Sequence, residues 1–230
     1  ITAGIIAAMG CLAAYAHAQA TGQGQKVDTS LYEAAITQTY WQSAITFATG
    51  EPPGPMGSAH PLNAPYQAFR TKDGWINIGA ANQKNWLRLL DVIGAQQLND
   101  DPRFATNRER MLNLDALVEV LNGYLDRETT DHWLHVMEHA GLPAGPVRNV
   151  AEMHGDPQTQ AREMVVSLDH PVAGQMDTLG HPIKFSHTPA QVARPAPVLG
   201  QHSREVLLER GIAADRVEML ISQGAVVAPS

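Results

Sequence analysis

Apolar residues fall at helical spacing most clearly in the middle of the chain. Leu114, Leu117, Val118, Leu121 and Leu125 line one face of an amphipathic helix. Trp86, Leu89, Leu90 and Ile93 repeat the pattern, with Asn82 placed to cap the start and Gly94 to close the end. A third helix runs from Thr130 to Ala140 and stops at Gly141, with Pro143 just beyond. Ahead of these helices, "YQAFRT" and "WINIG" are short apolar segments joined through Lys72-Asp73-Gly74, a hairpin signal. Asp101-Pro102 opens a further turn.

The flanks are less regular. Residues 2–20 are apolar on most sides, which predicts a core helix ended by Thr21-Gly22-Gln23-Gly24. Ala3, Ala7, Ala8, Gly10, Ala14 and Ala18 would admit close backbones there, and Ile5, Ile6, Met9 and Leu12 would supply larger contacts. Two other readings compete. Ala16-His17-Ala18 fits a cleavage pattern, but a signal peptide needs a basic n-region and the first Lys is Lys26. A membrane span needs about 20 strongly apolar residues, whereas this run stops near Tyr15 and is built from Ala and Gly. The core helix is preferred, and with it a chain that starts in mid-domain. A secreted binding module with 1–18 as signal segment is the alternative. Lys26-Val27-Asp28 reads as a short strand or turn, and Thr29 or Ser30 can cap a helix through about Phe47. Towards the other end, Asp156-Pro157 opens a short helix through Met164. "MVVSLDHP" and "HPIKFS" read as strands about a Gly174 turn. Helices follow from Ser203 to Arg210 and from about Asp215 to Gln223.

Composition adds exclusions. A hydrophobic share of 44% and a charged share of 17% describe an ordinary globular protein, and the net charge of −7 argues against a nucleic-acid surface. The single Cys, Cys11, rules out an intrachain disulfide framework and points to a reducing, cytoplasmic setting. Its small apolar neighbours suggest a buried thiol. There is no G-x-S-x-G elbow, and Gly22-x-Gly24 follows a helix rather than a strand, so it reads as a helix-ending turn and not a phosphate loop. His132, His135 and His139 share one helical face and could in principle bind zinc. No carboxylate completes that face, so they read as its solvated flank, without a metal. "GSAHPLNAPY" (57–66) is the best candidate for a binding loop: Gly57 permits close approach, His60 and Asn63 offer polar edges, and Pro61 and Pro65 stiffen the path. An interdomain linker is the other reading of that stretch.

Six stretches taken in order go further: "TGQGQKVDTSLYEAA", "HPLNAPYQAFRTKDGWINIGAANQKNW", "DPRFATNRERMLN", "AGLPAGPVRNVAEMHGDPQTQAREM", "GHPIKFSHTP" and "APVLGQHSREVL". Together they resemble the family III CoA-transferases, the CaiB/BaiF group, to which the α-methylacyl-CoA racemases are related. The resemblance implies a mostly helical α/β fold, part of a Rossmann-like large domain plus a small α+β domain. Residues 1–48 and 165–230 would belong to the large domain and 66–145 to the small one. Residues 49–65 would form a linker and active-site loop, and 146–164 a second linker. It implies CoA transfer between an acyl-CoA and a small carboxylic acid through an aspartyl-CoA thioester.

The family aspartate precedes a stretch such as "xTAG", and "ITAG" opens this chain. The catalytic Asp is thus expected immediately before Ile1, none is expected within the chain, and the isolated chain, lacking the N-terminal Rossmann-like half, is expected to be inactive. The family's mobile loop corresponds to Gly57, Ser58, His60, Pro61 and Asn63. Its departure from a poly-Gly form disfavours oxalate as substrate. Where racemases resemble "GALEPQF", this chain has "GAANQKNW", so Asn82 replaces their Glu and favours a transferase. Asn82 itself is then either an active-site residue or a cap. CoA would be a substrate, with no permanently bound cofactor. No nucleic-acid or membrane partner is implied, and the full-length protein would be an interlocked homodimer.

Overall fold

The computed structural model describes residues 1–229, and the chain divides into two units, Ile1–Gly145 and Pro146–Ser230.

In the first unit, α1 (Thr2–Thr21) ends as expected, with Gly22 at φ 73° and its N–H donating to the Ala18 carbonyl at 2.8 Å. Within this chain the helix buries none of its residues. Its neighbours are α2 (Leu31–Gln38) and Val27, which crosses Gly10 so closely that a Cβ there would meet Val27 Cγ1 at 2.8 Å. One small residue therefore admits one close neighbour. Ile5, Met9, Leu12 and Tyr15 stay exposed, and Cys11 is exposed rather than buried. The helix also runs past Tyr15. At 20 residues and a mean hydropathy of 1.3 it is long and apolar enough to cross a membrane, a property it shares with core helices of soluble proteins. Lys26-Val27-Asp28 forms no strand.

Ser30 caps α2, its Oγ accepting from Glu33 N at 3.1 Å. The single helix expected through Phe47 is broken at Thr39, and α3 spans Tyr40–Thr49. Both the Thr39 N–H and its hydroxyl turn back to the Ile36 carbonyl, at 2.9 and 2.8 Å, and this side-chain competition with the helical ladder closes α2 early.

The hairpin is β1 (Tyr66–Arg70) and β2 (Trp75–Gly79), antiparallel with Arg70 opposite Trp75. Phe69, Ile76 and Ile78 point to one side and are fully buried. α4 (Gln83–Ile93) lays Trp86, Leu89, Leu90 and Ile93 into the same core. A 3-10 turn (Gln96–Asn99) and α5 (Asn107–Leu112) lead to α6 (Leu114–Leu125), which contributes Leu117, Leu121 and Leu125. α7 (Thr130–His139) adds Trp133 and Met137, and Trp133 Nε1 donates to the Leu125 carbonyl at 2.7 Å. The Asp73 carboxylate ties the hairpin turn to the start of α7, accepting from Thr130 N at 2.8 Å and Thr130 Oγ1 at 3.0 Å. A strand that the apolar pattern did not signal, β3 (Ala144–Pro146), completes the order β1-β2-β3.

In the second unit, α8 (Val150–Gly155) starts with a capping box between Asn149 and Glu152. α9 (Pro157–Ala161) is shorter than expected, and Glu163 just beyond it takes φ 51°. β4 (Val165–His170) pairs with β5 (Gly174–Leu179), so the return strand lies at 174–179 and "HPIKFS" forms none. Gly174 at φ 73° reverses the chain at once, and His170 Nδ1 accepts from Val172 N and Ala173 N across the turn. Pro182, with no N–H, suits a segment outside the ladder. α10 (Ser203–Glu209) and α11 (Ala214–Ser222) are joined by a two-pronged Arg204–Glu218 pair at 2.8 and 3.0 Å.

Candidate functional site

The loop at 57–65 is shaped by its own backbone needs. Gly57 takes φ 60°, a region that L side chains resist. Ser58 Oγ then accepts from Ala68 N at 3.1 Å, and His60 N donates to the Tyr66 carbonyl at 3.0 Å, folding the loop back onto the start of β1. His60 Nδ1 accepts from Leu62 N at 3.1 Å, with Asn63 Nδ2 at 3.3 Å. Accepting from a backbone N–H fixes the tautomer, so Nε2 carries the ring proton. The ring is stacked on Tyr66 (centroids 5.1 Å apart, planes 5° apart) and meets the edge of Trp41 from α3 at 5.7 Å. His60, Pro61 and Asn63 are half-buried, whereas Gly57 and Ser58 are exposed. The amides of Gly57 and Ser58 donate to no acceptor among the described residues.

Beneath the loop lies a polar support. Asn107 on α5 donates from Nδ2 to the Leu62 carbonyl at 2.9 Å and accepts from Ala64 N at 3.0 Å. Arg110, one turn on and fully buried, donates from Nε to the Ala64 carbonyl at 2.7 Å, and from Nη1 to Phe104 O at 3.0 Å and Gln83 Oε1 at 3.1 Å. Its guanidinium also lies 4.9 Å from the centre of the Trp86 ring. Burial pushes the Arg110 pKa down to about 10, which leaves it charged at neutral pH.

Asn82 stands close by in the chain path, since Ala80 N donates to the Pro65 carbonyl at 3.0 Å. Its own Oδ1 is engaged as the α4 cap, accepting from Asn85 N at 2.8 Å. On the other side, a groove of about 450 Å³ is lined by Met56, Ala59, Gln67, Asp115, Glu119 and their neighbours. Two carboxylates and no cation in that wall make it unfavourable for an anionic ligand.

Of the α7 histidines, His135 and His139 lie together, their ring centroids 4.2 Å apart. His139 Nδ1 lies 2.8 Å from the His135 carbonyl and His132 abuts Trp133, and no group of three or more His, Cys, Asp or Glu among the described residues is placed to hold a metal ion. Asn107 and Arg110 lie inside "DPRFATNRERMLN", where no local pattern in the sequence marks either of them out. Arg108 and Arg110 look alike in the chain, and only the fold shows that one is exposed and the other buried.

Residues 1–203 match the family described as CoA-transferase family III. The chain belongs to that family. Among its relatives, succinyl-CoA:glutarate CoA-transferase of Homo sapiens is 31% identical over 90% of this chain and 47% of its own length. Acetyl-CoA:oxalate CoA-transferase of Acetobacter aceti is 37% identical over 72% of this chain and 41% of its own. The crystal structure of a CaiB/BaiF family protein from Brucella suis superposes with a TM-score of 0.77 at 31% identity, over 91% of this chain and 54% of that one. The chain thus spans about half the length of the curated relatives it matches. Its mixed α/β fold is consistent with part of the family III fold, and the family match takes in α1, the 57–65 loop and its support alike.

Proposed function

We propose that this chain is part of an enzyme that moves CoA from an acyl-CoA to a short dicarboxylic acid through an aspartyl-CoA thioester. The observation that carries the reading is the family match over residues 1–203. Relatives named for glutarate, oxalate and mesaconate support the acceptor class. The oxalate relative also weakens the case against oxalate drawn from the missing poly-Gly loop. Asn82 as a helix cap leaves no charged partner for a racemase proton transfer at that position, which supports transfer over racemisation.

In the proposed reaction an aspartate carboxylate, carried by a segment before Ile1, attacks the thioester carbonyl and releases CoA thiolate, leaving a mixed anhydride. The thiolate attacks the aspartyl carbonyl, giving the aspartyl-CoA thioester and freeing the donor acid. The acceptor carboxylate repeats the exchange in reverse and leaves as its CoA ester, restoring the aspartate. Each tetrahedral intermediate carries an oxyanion that needs fixed donors. The free amides of Gly57 and Ser58 and the His60 Nε2–H are the groups of this chain suited to that work.

The reading extends to a homodimer in the cytoplasm with no metal, nucleic acid or membrane. The family match from residue 1 supports α1 as part of the enzyme rather than a signal segment. The test is incubation with succinyl-CoA and hydroxylamine, which traps an activated aspartate as a hydroxamate. The 230-residue chain alone should give none, and the chain joined to the N-terminal half of a relative, ending in Asp, should give one and turn over. A hydroxamate mapped within the chain alone would show that the nucleophile is misplaced.

A further inference from the structure

We propose that Asn107 and Arg110 act as positioning residues, a latch that holds the backbone of Leu62–Ala64 and so sets the His60–Asn63 edge in place. The proposal rests on the transferase reading for what the loop meets, but the latch itself stands on geometry. Asn107 spends both halves of its amide on one loop, Oδ1 on Ala64 N and Nδ2 on Leu62 O. Arg110 adds the third bond, to Ala64 O, so the backbone of this stretch is gripped at three polar points, Leu62 O, Ala64 N and Ala64 O. The same guanidinium reaches Gln83 Oε1 at the start of α4 and Phe104 O before α5, which ties the loop to two helix entrances.

Core filling alone does not account for Arg110. Its partners are all neutral oxygens, its Nη2 is buried without a partner, and burial depresses its pKa. A buried charge without a carboxylate costs free energy that an apolar side chain of similar volume would not. What a guanidinium offers in return is a rigid fork of donors that reaches several carbonyls at fixed angles. The consequence reaches His60 through the chain. Leu62 N donates to His60 Nδ1 while Leu62 O accepts from Asn107, so a shift of the Leu62 peptide moves both the ring and its tautomer-fixing bond.

The test uses Asn107→Ala, a half-buried position at which folding is expected to survive, together with Arg110→Lys and Arg110→Met. In the 230-residue chain, amide hydrogen exchange at Ala64 and Leu62 should accelerate about tenfold in Asn107→Ala, as loss of one to two net hydrogen bonds implies, while amides of α4 and α6 keep their rates. Arg110→Lys, which keeps charge and one donor, should fall between wild type and Arg110→Met. In the chain joined to the N-terminal half of a relative, Asn107→Ala should lower kcat about tenfold or more with a smaller change in KM, and Arg110→Lys should retain more rate than Arg110→Met. Unchanged exchange at Ala64, equal acceleration in α4 and α6, or undiminished kcat despite a loosened loop would each overturn the proposal. Absence of transfer from the unsubstituted joined enzyme, with the exchange pattern as expected, would count against the transferase reading and leave the latch standing.

Discussion

Asn82 offers a sharp way to separate a structural from a catalytic amide at one position. Its Oδ1 accepts from Asn85 N at 2.8 Å, and the residue is solvent-exposed, so in Asn82→Ala the freed N–H turns to water rather than being orphaned in the core. The loss is then that of an ordinary N-cap, about 1 kcal/mol. Because α4 supplies Trp86, Leu89, Leu90 and Ile93 to the core, fraying at its start is felt by the whole unit. For a domain of this size that is a fall in Tm of roughly 2–4 °C. Asn82→Asp keeps the acceptor and places a negative charge on a helix whose first turn has no acidic residue, which is worth about 0.3–1 kcal/mol in its favour. The order of stability should be Asp at or above Asn, and Ala below both, read by circular-dichroism melting. Turnover of the joined enzyme should follow the folded fraction in all three. An unchanged Tm with abolished turnover in Asn82→Ala would make the amide an active-site group. An Asp variant as unstable as the Ala variant would refute the cap argument itself.

Other expectations are read from the same contacts. Leu121→Ala empties a fully buried site between the helices and the hairpin and should cost about 2–5 kcal/mol, seen as a lower urea midpoint. The Thr130 backbone N–H, with the Thr130 and Thr71 hydroxyls, holds the Asp73 carboxyl below its usual range. Its contribution is therefore present above the unfolded pKa of about 4 and is lost as pH falls through the lower folded value. Urea midpoints compared between pH 6 and pH 3 should drop more for wild type than for Asp73→Asn, and equal drops would show that Asp73 does not matter to acid stability. The exposed Ile5, Met9, Leu12 and Tyr15 on α1 should make the isolated chain associate on size-exclusion chromatography, and a clean monomer would contradict that.

The parts of the fold legible from the sequence are those in which one helix or hairpin buries one face. The leucines of α6, the Trp86–Ile93 face of α4, and the Asp-Gly turn between β1 and β2 follow from local period and local turn chemistry alone. The element ends were legible where a single residue decides them, as at Asn82, Ser30, Gly22, Gly94 and Gly141. What escaped depends on partners distant in sequence. β3 is three residues long and exists because the chain after Leu142 passes beside β2, where Gly79 N donates to the Pro143 carbonyl at 2.9 Å. The return strand after Gly174 departs from the sequence expectation because "HPIKFS" has a strand-like composition while "GQMDTL" does not, and pairing register overrides composition.

The candidate site divides along the same line. Gly57, His60, Pro61 and Asn63 stand out in the sequence because polar and glycine residues cluster between prolines, a signal carried by neighbours in the chain. Asn107 and Arg110 lie more than forty residues from the backbone groups they hold. No period distinguishes Arg110 from Arg108, since a buried arginine in a polar stretch looks like a solvated one until its acceptors are known. α1 is the opposite case. Its apolar pattern marks side chains that would gain from burial, and within this chain none of them is buried, because amphipathicity does not record whether anything lies opposite them. Burial is a property of a pair of surfaces, and a sequence shows only one of them.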